Sequence, residues 1–420
     1  MAAVAGRPAD GLKAMPRNAL LIAAVAMIGL NLRPFLTGIG PLAVAIGSET
    51  GLGMQGIALL TLVPMLLMGG CAFAGPALRD ALGAGRTITG ALAMLALGSL
   101  LRLDAGTGWM LLATAALCGL GAAIVQAVFP GVIKQHFPRH VTMVTGLYSS
   151  MLMGGGALGA QAAPLIARVS GNWRLALAAL ALPAIVATAM AARLLPRGGN
   201  APPPRGATPA LIGLPRTWLL MACFGLVNGG YASVVAWLAL SYQERGWDGA
   251  ASGGLLAIVA ASQALAALLL PMLAGRRADR RPWLWLSLAM QAAGFTALIL
   301  SPEAAPMLWS IVLGAGLGGC FALSMIVALD HLPNPARAGA LSALMQGGGF
   351  VIAAIPPWIL AALHDRGGGF TAGWLFHLGC VALVAGLTVR LAPGGYARAM
   401  REPEDKAQQN AQPVARPRWL

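Results

Sequence analysis

Long apolar segments alternate along the chain with short polar, glycine-rich or proline-rich breaks. A helix needs roughly 20 apolar residues to cross the hydrocarbon core of a bilayer. Twelve segments are close to that length, so the pattern predicts an all-α membrane protein with 12 transmembrane helices. The predicted spans are residues 20–47, 54–78, 87–103, 109–133, 141–167, 173–195, 218–242, 250–274, 283–300, 307–329, 338–363 and 370–391.

A proline-rich break divides the predicted spans into two sets of six. The composition of this break is typical of an irregular linker between two larger units. We therefore expect an N-terminal six-helix half at residues 1–195, a cytoplasmic linker at 196–217, a C-terminal six-helix half at 218–391 and a cytoplasmic tail at 392–420.

The two expected halves share a sequence pattern. The tripeptide His-Phe-Pro at 136–138 is echoed by His-Leu-Pro at 331–333. The set Gly146, Ser149 and the glycines at 154–156 recurs with the same internal spacing, as Gly339, Ser342 and the glycines at 347–349. The shared order predicts parallel repeats, and carriers built from repeats often bind substrate between them near the middle of the bilayer.

The composition excludes a soluble protein and argues against a nucleic-acid partner. Hydrophobic residues make up 58% of the chain and charged residues only 10%, so the expected surroundings are a lipid bilayer. The net charge of +15 comes from residues between the apolar spans, not from a basic patch. Most Lys and Arg residues lie in the N-terminus, the linker, the tail and the loops that connect an even-numbered span to the next odd-numbered span. Because positively charged loops stay in the cytoplasm, this distribution predicts that both termini are cytoplasmic. The opposite side receives only Arg102, Arg168, Arg174, Arg245 and Arg366.

No catalytic or nucleotide-binding signature is found in the sequence. HExxH, GxSxG, GxxxxGK[ST] and zinc-spaced Cys/His clusters are all absent. The five cysteines fall inside apolar spans without a CxxC pair, which is typical of packing residues. We expect no enzyme activity, no cofactor and no metal site. Any concentrative transport would have to be driven by an ion gradient, and uniport and exchange stay open.

Arg33 is the one charged residue placed deep in a predicted span. None of the 13 Asp and Glu residues lies at such a depth. An arginine at a helix centre costs about 2.5–3.5 kcal/mol on insertion scales, which makes it a functional candidate. The neighbouring Pro34 removes a backbone donor and can kink the helix beside the charge. Anion binding is the favoured interpretation; the alternative is a structural arginine satisfied by carbonyl groups or a partner on another helix.

Polar residues within the spans are candidates for a wet cavity around Arg33. For each of them the alternative is hydrogen bonding between helices, which is common in membrane bundles. The candidates for substrate binding besides Arg33 are Asn31, Gln126, Tyr148, Asn228, Tyr231, Gln263 and Gln346. His377 is the deep group that titrates near neutral pH, so it is a candidate for proton coupling or, alternatively, a histidine hydrogen-bonded inside the bundle.

The loop at residues 75–86 resembles the signature of the major facilitator superfamily between its second and third helices. The matching residues are Leu78, Asp80, Gly83 and Arg86, while Pro76 replaces the expected glycine. A counterpart in the second half comprises Gly275, Arg277, Asp279 and Arg280. The resemblance implies a major facilitator fold of two six-helix parallel repeats. It also implies a cytoplasmic latch formed by Asp80, Arg86, Asp279 and Arg280.

Within that superfamily the chain resembles bacterial cyanate transporters, a branch that also includes a 2-nitroimidazole exporter. The segments that carry the likeness are residues 29–34, 126–134, 153–156, 226–233, 328–331 and 345–347. The resemblance implies a bacterial inner membrane, cyanate as substrate and a functional link to a cyanate-degrading enzyme. It also raises the rank of Asn31, Gln126, Asn228 and Gln346, because the first, fourth, seventh and eleventh helices of the superfamily line its cavity.

The expected function is secondary transport of a small monovalent anion by alternating access, with the six-helix halves rocking around Arg33. Two alternatives stay open. One is export of nitroimidazole-like heteroaromatic compounds, for which Tyr148, Tyr231 and Trp237 would supply stacking surface. The other is a membrane sensor that transports nothing.

Overall fold

The structure is a computed structural model that describes residues 11–52, 54–71, 73–195, 207–367 and 369–400. All regular secondary structure in these ranges is helical. The α-helices are α1 (Gly11–Leu30), α2 (Pro34–Thr37), α3 (Ala43–Thr50), α4 (Met54–Cys71), α5 (Gly75–Leu82), α6 (Ala84–Leu100), α7 (Gly108–His136), α8 (Val141–Ser170), α9 (Trp173–Ala179), α10 (Ala181–Leu194), α11 (Ala207–Ile212), α12 (Pro215–Gln243), α13 (Gly249–Ala274), α14 (Arg281–Leu300), α15 (Pro306–Asp330), α16 (Pro335–Ala353), α17 (Ile355–Gly367), α18 (Thr371–Thr388) and α19 (Tyr396–Ala399).

Ten helical segments in the described ranges are long and apolar enough to cross a membrane. The pair Leu62–Cys71 and Gly75–Leu82, bent by 63°, makes an eleventh if it counts as one broken span. Helix α8 falls outside that number although it has 30 residues, because Tyr148, Ser149 and its glycines lower the hydropathy. Together these helices cover the 12 predicted segments. The predicted all-α membrane fold is confirmed, and the predicted count of 12 spans is consistent with it.

The ends of the helices follow from local chemistry. Thr107 and Asn172 accept hydrogen bonds from the first backbone N–H groups of α7 and α9, which have no partner inside the helix. Helix α8 ends at Gly171, whose φ of 68° lies in the left-handed region that glycine adopts without strain. Polar and glycine residues therefore set the boundaries, while the apolar content sets the membrane location.

The first span is interrupted at residues 31–33, between α1 and α2. Pro34 has no backbone N–H, and its ring disfavours the helical conformation for the residue before it. Arg33 accordingly has φ −129° and ψ −24°, outside the helical region. The charge predicted to lie deep in the span therefore lies at the break between two helical segments.

Four segments that carry basic residues meet at one end of the bundle, where they are joined by hydrogen bonds. This basic end comprises residues 79–83, 134–142, 275–280 and 329–337. Helix α7 crosses α16 there so closely that a methyl group added to Gly131 would lie 3.1 Å from the Cα of Gly339. Helix α8 meets α13 in a similar way, with Gly146 against Pro271. These contacts join helices of the first six predicted spans to helices of the last six.

Candidate functional site

Arg33 is buried, with 6% of its surface exposed, and faces aromatic rings. Its guanidinium carbon lies 4.9 Å from the centroid of the Tyr231 ring and 5.9 Å from that of Phe321. Among the described residues, no carboxylate forms an ion pair with this guanidinium and no group forms a hydrogen bond with it. The stabilisation comes from ring faces, each worth about 0.5–2 kcal/mol to a cation. The N–H groups of the guanidinium are therefore left for a ligand.

The course of the Arg33 side chain is set by α8. The stem crosses Gly156, where an added methyl group would lie 3.4 Å from the Arg33 Cβ and 3.7 Å from its Cδ. The guanidinium then reaches Tyr231 on α12 and Phe321 on α15. A residue from the first six predicted spans thus contacts two residues from the last six.

Phe321 was not predicted from the sequence as a site residue. It packs on Phe224, with ring centroids 5.5 Å apart, and Phe224 packs on Phe350 at 5.6 Å. This row of rings holds Phe321 against Arg33. The internal repeat is the signal that could have found it, because Gln126 and Phe321 each lie ten residues before the histidine of the repeated His-X-Pro.

Three of the predicted substrate-binding residues carry buried polar atoms without a partner in the described part of the chain. These atoms are both amide atoms of Gln126, the hydroxyl of Tyr148 and the Oε1 of Gln346. The Nε2 of Gln346 donates to the backbone oxygen of Gln126 at 3.3 Å, which connects α16 to α7. A buried polar atom left unpaired costs about 1–3 kcal/mol, so these groups favour a polar ligand. The contacts join Gln126 to Gln346 and Arg33 to Tyr231 as two separate pairs.

The two asparagines of the prediction use their amide donors inside the protein. The Nδ2 of Asn31 donates to the oxygens of Met27 at 2.7 Å and Pro183 at 3.1 Å. The Nδ2 of Asn228 donates to Phe224 O at 2.8 Å. Both make the same bond to the carbonyl four residues earlier, and in this conformation the bond occupies the group that would face an anion.

No hydrogen bond or ring contact joins two further predicted residues, Gln263 and His377, to Arg33 in the described ranges. Gln263 is buried where α13 packs on α15, with its backbone oxygen against Gly318. The ring of His377 on α18 stacks on Phe295, with centroids 5.2 Å apart, and its Nε2 has no partner among the described residues. A methyl group added to Gly230 would lie 3.8 Å from the Nδ1 of His377, and the next residue, Tyr231, lies against the Arg33 guanidinium. The proton-coupling role of His377 stays a prediction.

Three of the four predicted latch residues, Asp80, Asp279 and Arg280, lie at the basic end, and of these only Arg280 bonds across the two sets of spans in the described ranges. Asp80 pairs with Arg79 at 2.5 Å, and it is Arg79 that donates across to Ala336 O at 2.9 Å. Asp279 pairs with Arg281, whose guanidinium holds the pKa of that carboxyl below its usual value. Arg86 is exposed and forms no bond in the described ranges.

Arg280 does take part in a connection between the two sets of spans. Its Nε lies 3.0 Å from the Oδ2 of Asp330, and its Nη2 donates to the hydroxyl of Thr142 at 3.3 Å. Lys134 at the end of α7 donates to the backbone oxygens of Leu329 and Leu332, at the C-terminal end of α15. A lysine at that position also complements the negative end of the helix dipole. Lys134 was not predicted as a latch residue.

Comparison with known proteins places these features in a family. Residues 19–357 match the Major Facilitator Superfamily profile. The chain is 41% identical over 374 residues to the cyanate transport protein CynX of Escherichia coli (strain K12), covering 89% of this chain and 97% of that protein. It is 27% identical over 359 residues to the 2-nitroimidazole transporter of the same organism, covering 84% and 90%.

Solved structures share the fold at low sequence identity. The proton:xylose symporter XylE, bound to 6-bromo-6-deoxy-D-glucose, superposes with a TM-score of 0.72 at 13% identity, over 88% of this chain and 95% of that one. The transporter FucP in the outward conformation superposes with a TM-score of 0.70 at 12% identity, over 89% and 98%. The predicted fold class and the likeness to transporters, as opposed to enzymes, are confirmed by these matches.

Proposed function

The chain belongs to the major facilitator superfamily, and on that premise we propose that it is a secondary transporter of a small monovalent anion, with cyanate as the leading substrate. The relative CynX supports cyanate, because the two chains align over nearly their whole lengths. A bacterial inner membrane with both termini in the cytoplasm is part of the proposal, supported by the distribution of Lys and Arg along the chain.

The observation that carries the proposal is the state of the Arg33 guanidinium. It is buried, lies over the rings of Tyr231 and Phe321, and has no carboxylate partner in the described ranges. A buried charge without a counter-charge is costly, so an anion of single charge is the ligand that best balances it. The planar guanidinium offers several N–H donors to such an anion, and charge-assisted bonds of this kind are short and strong.

Small size of the ligand follows from the rings around the cation. The rings of Tyr231 and Phe321 lie 4.9 and 5.9 Å from the guanidinium carbon and limit the room for a ligand beside it. Cyanate is anionic at neutral pH, linear and small enough to fit beside the rings. Unpaired polar atoms are present on Gln126, Tyr148 and Gln346. They would form hydrogen bonds with cyanate in place of the water that it loses on entering the site.

Alternating access is proposed as the mechanism, with residues 1–195 and 218–391 as the two moving halves. In this conformation Lys134, Arg79 and Arg280 join the two sets of spans at the basic end. An anion held at Arg33 would touch both halves, since Tyr231 and Phe321 belong to the second one. Rocking of the halves would then expose the same site to each side of the membrane in turn.

The experiment is uptake of labelled cyanate into proteoliposomes by the parent chain, Arg33→Ala and Arg33→Lys. Loss of a charge-assisted bond predicts that Arg33→Ala transports at least about tenfold more slowly. Arg33→Lys should retain part of the rate, because lysine keeps the charge without the planar fork. The matched control is Arg168→Ala, an exposed arginine on α8. If Arg33→Ala takes up cyanate as fast as the parent chain, Arg33 does not bind the anion and the proposed anion site is wrong.

Export of a nitroimidazole-like compound is the second candidate, and the aromatic environment of Arg33 favours it. The rings of Tyr231 and Phe321 would supply stacking surface for a flat ligand, and one relative is named a 2-nitroimidazole transporter. Trp237 does not contribute there, since it packs on Phe370 and its indole nitrogen donates to Pro357 O. Growth of cells with and without the chain on 2-nitroimidazole separates the two candidates.

A further inference from the structure

Arg102 carries the most deeply buried guanidinium in the described part of the chain. From the sequence it is expected on the outer side of the membrane, at the end of the third predicted span. The structure instead gives it 0% exposure, in a 3₁₀ turn that continues α6. Its Nη1 donates to the backbone oxygen of Phe35 at 3.0 Å, while its Nε and Nη2 have no partner in the described ranges. No described carboxylate forms an ion pair with it.

Burial of this charge without a counter-charge is expensive, because removing an ion from water costs several kcal/mol after relaxation. The nearest acidic residue in sequence, Asp104, is exposed and does not pair with it. The one hydrogen bond that the Arg102 side chain makes with the described residues goes to the segment that carries Arg33. Its effect is therefore to be sought at that segment.

The break in the first span is held by side chains on three sides. Asn31 donates to Pro183 O in α10, and Thr37 donates to Gly156 O in α8 at 2.7 Å. Arg102 supplies the third bond, from the end of α6 to Phe35 O. Arg33 lies between these attachment points, so its backbone is fixed against three helices and its side chain extends toward the rings on α12 and α15.

We propose that Arg102 is a positioning residue for the anion site at Arg33, acting through its hydrogen bond to the Phe35 carbonyl. A guanidinium makes a stronger bond to that oxygen than a neutral donor does. Pro34 has no backbone N–H and cannot donate a hydrogen bond at the break. The bond from Arg102 therefore helps to fix the segment that follows the break. This inference rests on the proposed function, since it assigns Arg102 to the site that binds the anion.

The test is a double-mutant cycle on the KM for cyanate in proteoliposomes, using Arg102→Leu and Arg33→Lys. Loss of one hydrogen bond to a charged group predicts that Arg102→Leu raises the KM about tenfold in the parent background, with little change in the maximal rate per folded transporter. In the Arg33→Lys background the same change should raise the KM less than about twofold, because the residue it positions has been altered. Arg168→Leu, an exposed arginine on α8, is the matched control and should change neither value.

Several outcomes would overturn the inference. An unchanged KM in Arg102→Leu would do so, and so would an equal rise in both backgrounds, because that is the additivity expected of a general structural role. If Arg102→Leu fails to fold, Arg102→Met, which has an unbranched side chain and no N–H donor, takes its place in the cycle with the same two criteria. If substitution of Arg33 changes cyanate transport and substitution of Arg102 does not, only this inference is wrong and the proposed function stands. Insensitivity to Arg33, or absence of cyanate uptake by the parent chain, removes the proposed function with it.

Discussion

Gly155 and the carbonyl of Leu30 are in contact where α8 passes the end of α1. A methyl group added to Gly155 would lie 2.0 Å from the Leu30 oxygen, which no rotation of a side chain can relieve. The neighbouring Gly154 faces the other way, and an added methyl group there would meet only the Cβ of Ala264, at 3.9 Å. Gly155 therefore allows the broken first span to approach α8 closely. Gly154 plays no part in that approach.

The first prediction compares Gly155→Ala with Gly154→Ala. Gly155→Ala should lower the thermal stability of the detergent-solubilised protein and reduce transport, because overpacking against backbone costs about 1–3 kcal/mol or more. Gly154→Ala should behave like the parent chain, since 3.9 Å is an ordinary contact distance. The midpoint of thermal unfolding and the initial uptake rate are the measurements. Equal stability of the two variants would contradict the packing described for α1 and α8.

The second prediction concerns Lys134 and the closed basic end. Lys134→Met keeps the approximate shape of the side chain but removes its bonds to Leu329 and Leu332. Losing hydrogen bonds to a charged group should destabilise the closed arrangement by about 1.5–3 kcal/mol. The reaction rate of a cysteine introduced at Ala336 with a maleimide, in a chain whose native cysteines are replaced, should rise by about tenfold or more.

Arg86→Met is the control for the Lys134 variant. Arg86 is exposed and forms no bond in the described ranges, so its removal should leave the labelling rate unchanged. If the two variants label at the same rate, Lys134 does not help to hold the basic end closed. A larger effect of Arg86 would instead support the latch that the superfamily signature implies.

The third prediction separates the ring of Tyr231 from its hydroxyl group. Tyr231→Phe should keep the affinity for the anion within about twofold, because the ring face that meets Arg33 is retained. Tyr231→Leu should weaken the affinity by about two- to fivefold, the size of one cation–π contact of 0.5–1 kcal/mol. Competition of unlabelled against labelled cyanate gives the affinities. Equal losses in both variants would assign the effect to the hydroxyl.

The fourth prediction is a dependence of stability on pH that comes from His331. Its ring stacks on Tyr396, with centroids 3.8 Å apart, and burial lowers the pKa of this histidine to about 4. The unfolded chain binds the proton at about pH 6.5 and the folded chain only near pH 4, so acidification through this window favours unfolding. The loss should reach up to about 3 kcal/mol at the acid end.

The matched variant for this pH dependence is His331→Phe, which keeps an aromatic ring against Tyr396 but cannot bind a proton. The midpoint of thermal unfolding of the parent should fall more between about pH 7.5 and 5 than that of the variant. Other titrating groups contribute equally to both chains, so the difference isolates His331. Parallel curves for the two proteins would show that this histidine is not protonated on unfolding.

The candidate site was predictable from the sequence in part. Arg33 was found because a lone charge within an apolar segment is visible without any neighbour. Asn31 and Asn228 were predicted to face substrate, whereas in this conformation their amide donors bind carbonyls four residues earlier. A helix allows an asparagine to turn back on its own backbone or outward to a ligand, and the choice depends on the packing around it. Their role at the site stays a prediction.

The sequence alone determined that the protein crosses the membrane many times, where most helices lie, and that one arginine is set deep among them. These properties depend on the length of apolar segments and the position of charges along the chain, which are local. Only the tertiary structure decided that Tyr231 and Phe321 lie against Arg33, that Lys134 reaches the end of α15, and that Arg102 is buried. Those contacts join residues far apart in the chain, and in a bilayer the choice among apolar helix faces is made by close packing and hydrogen bonds between helices.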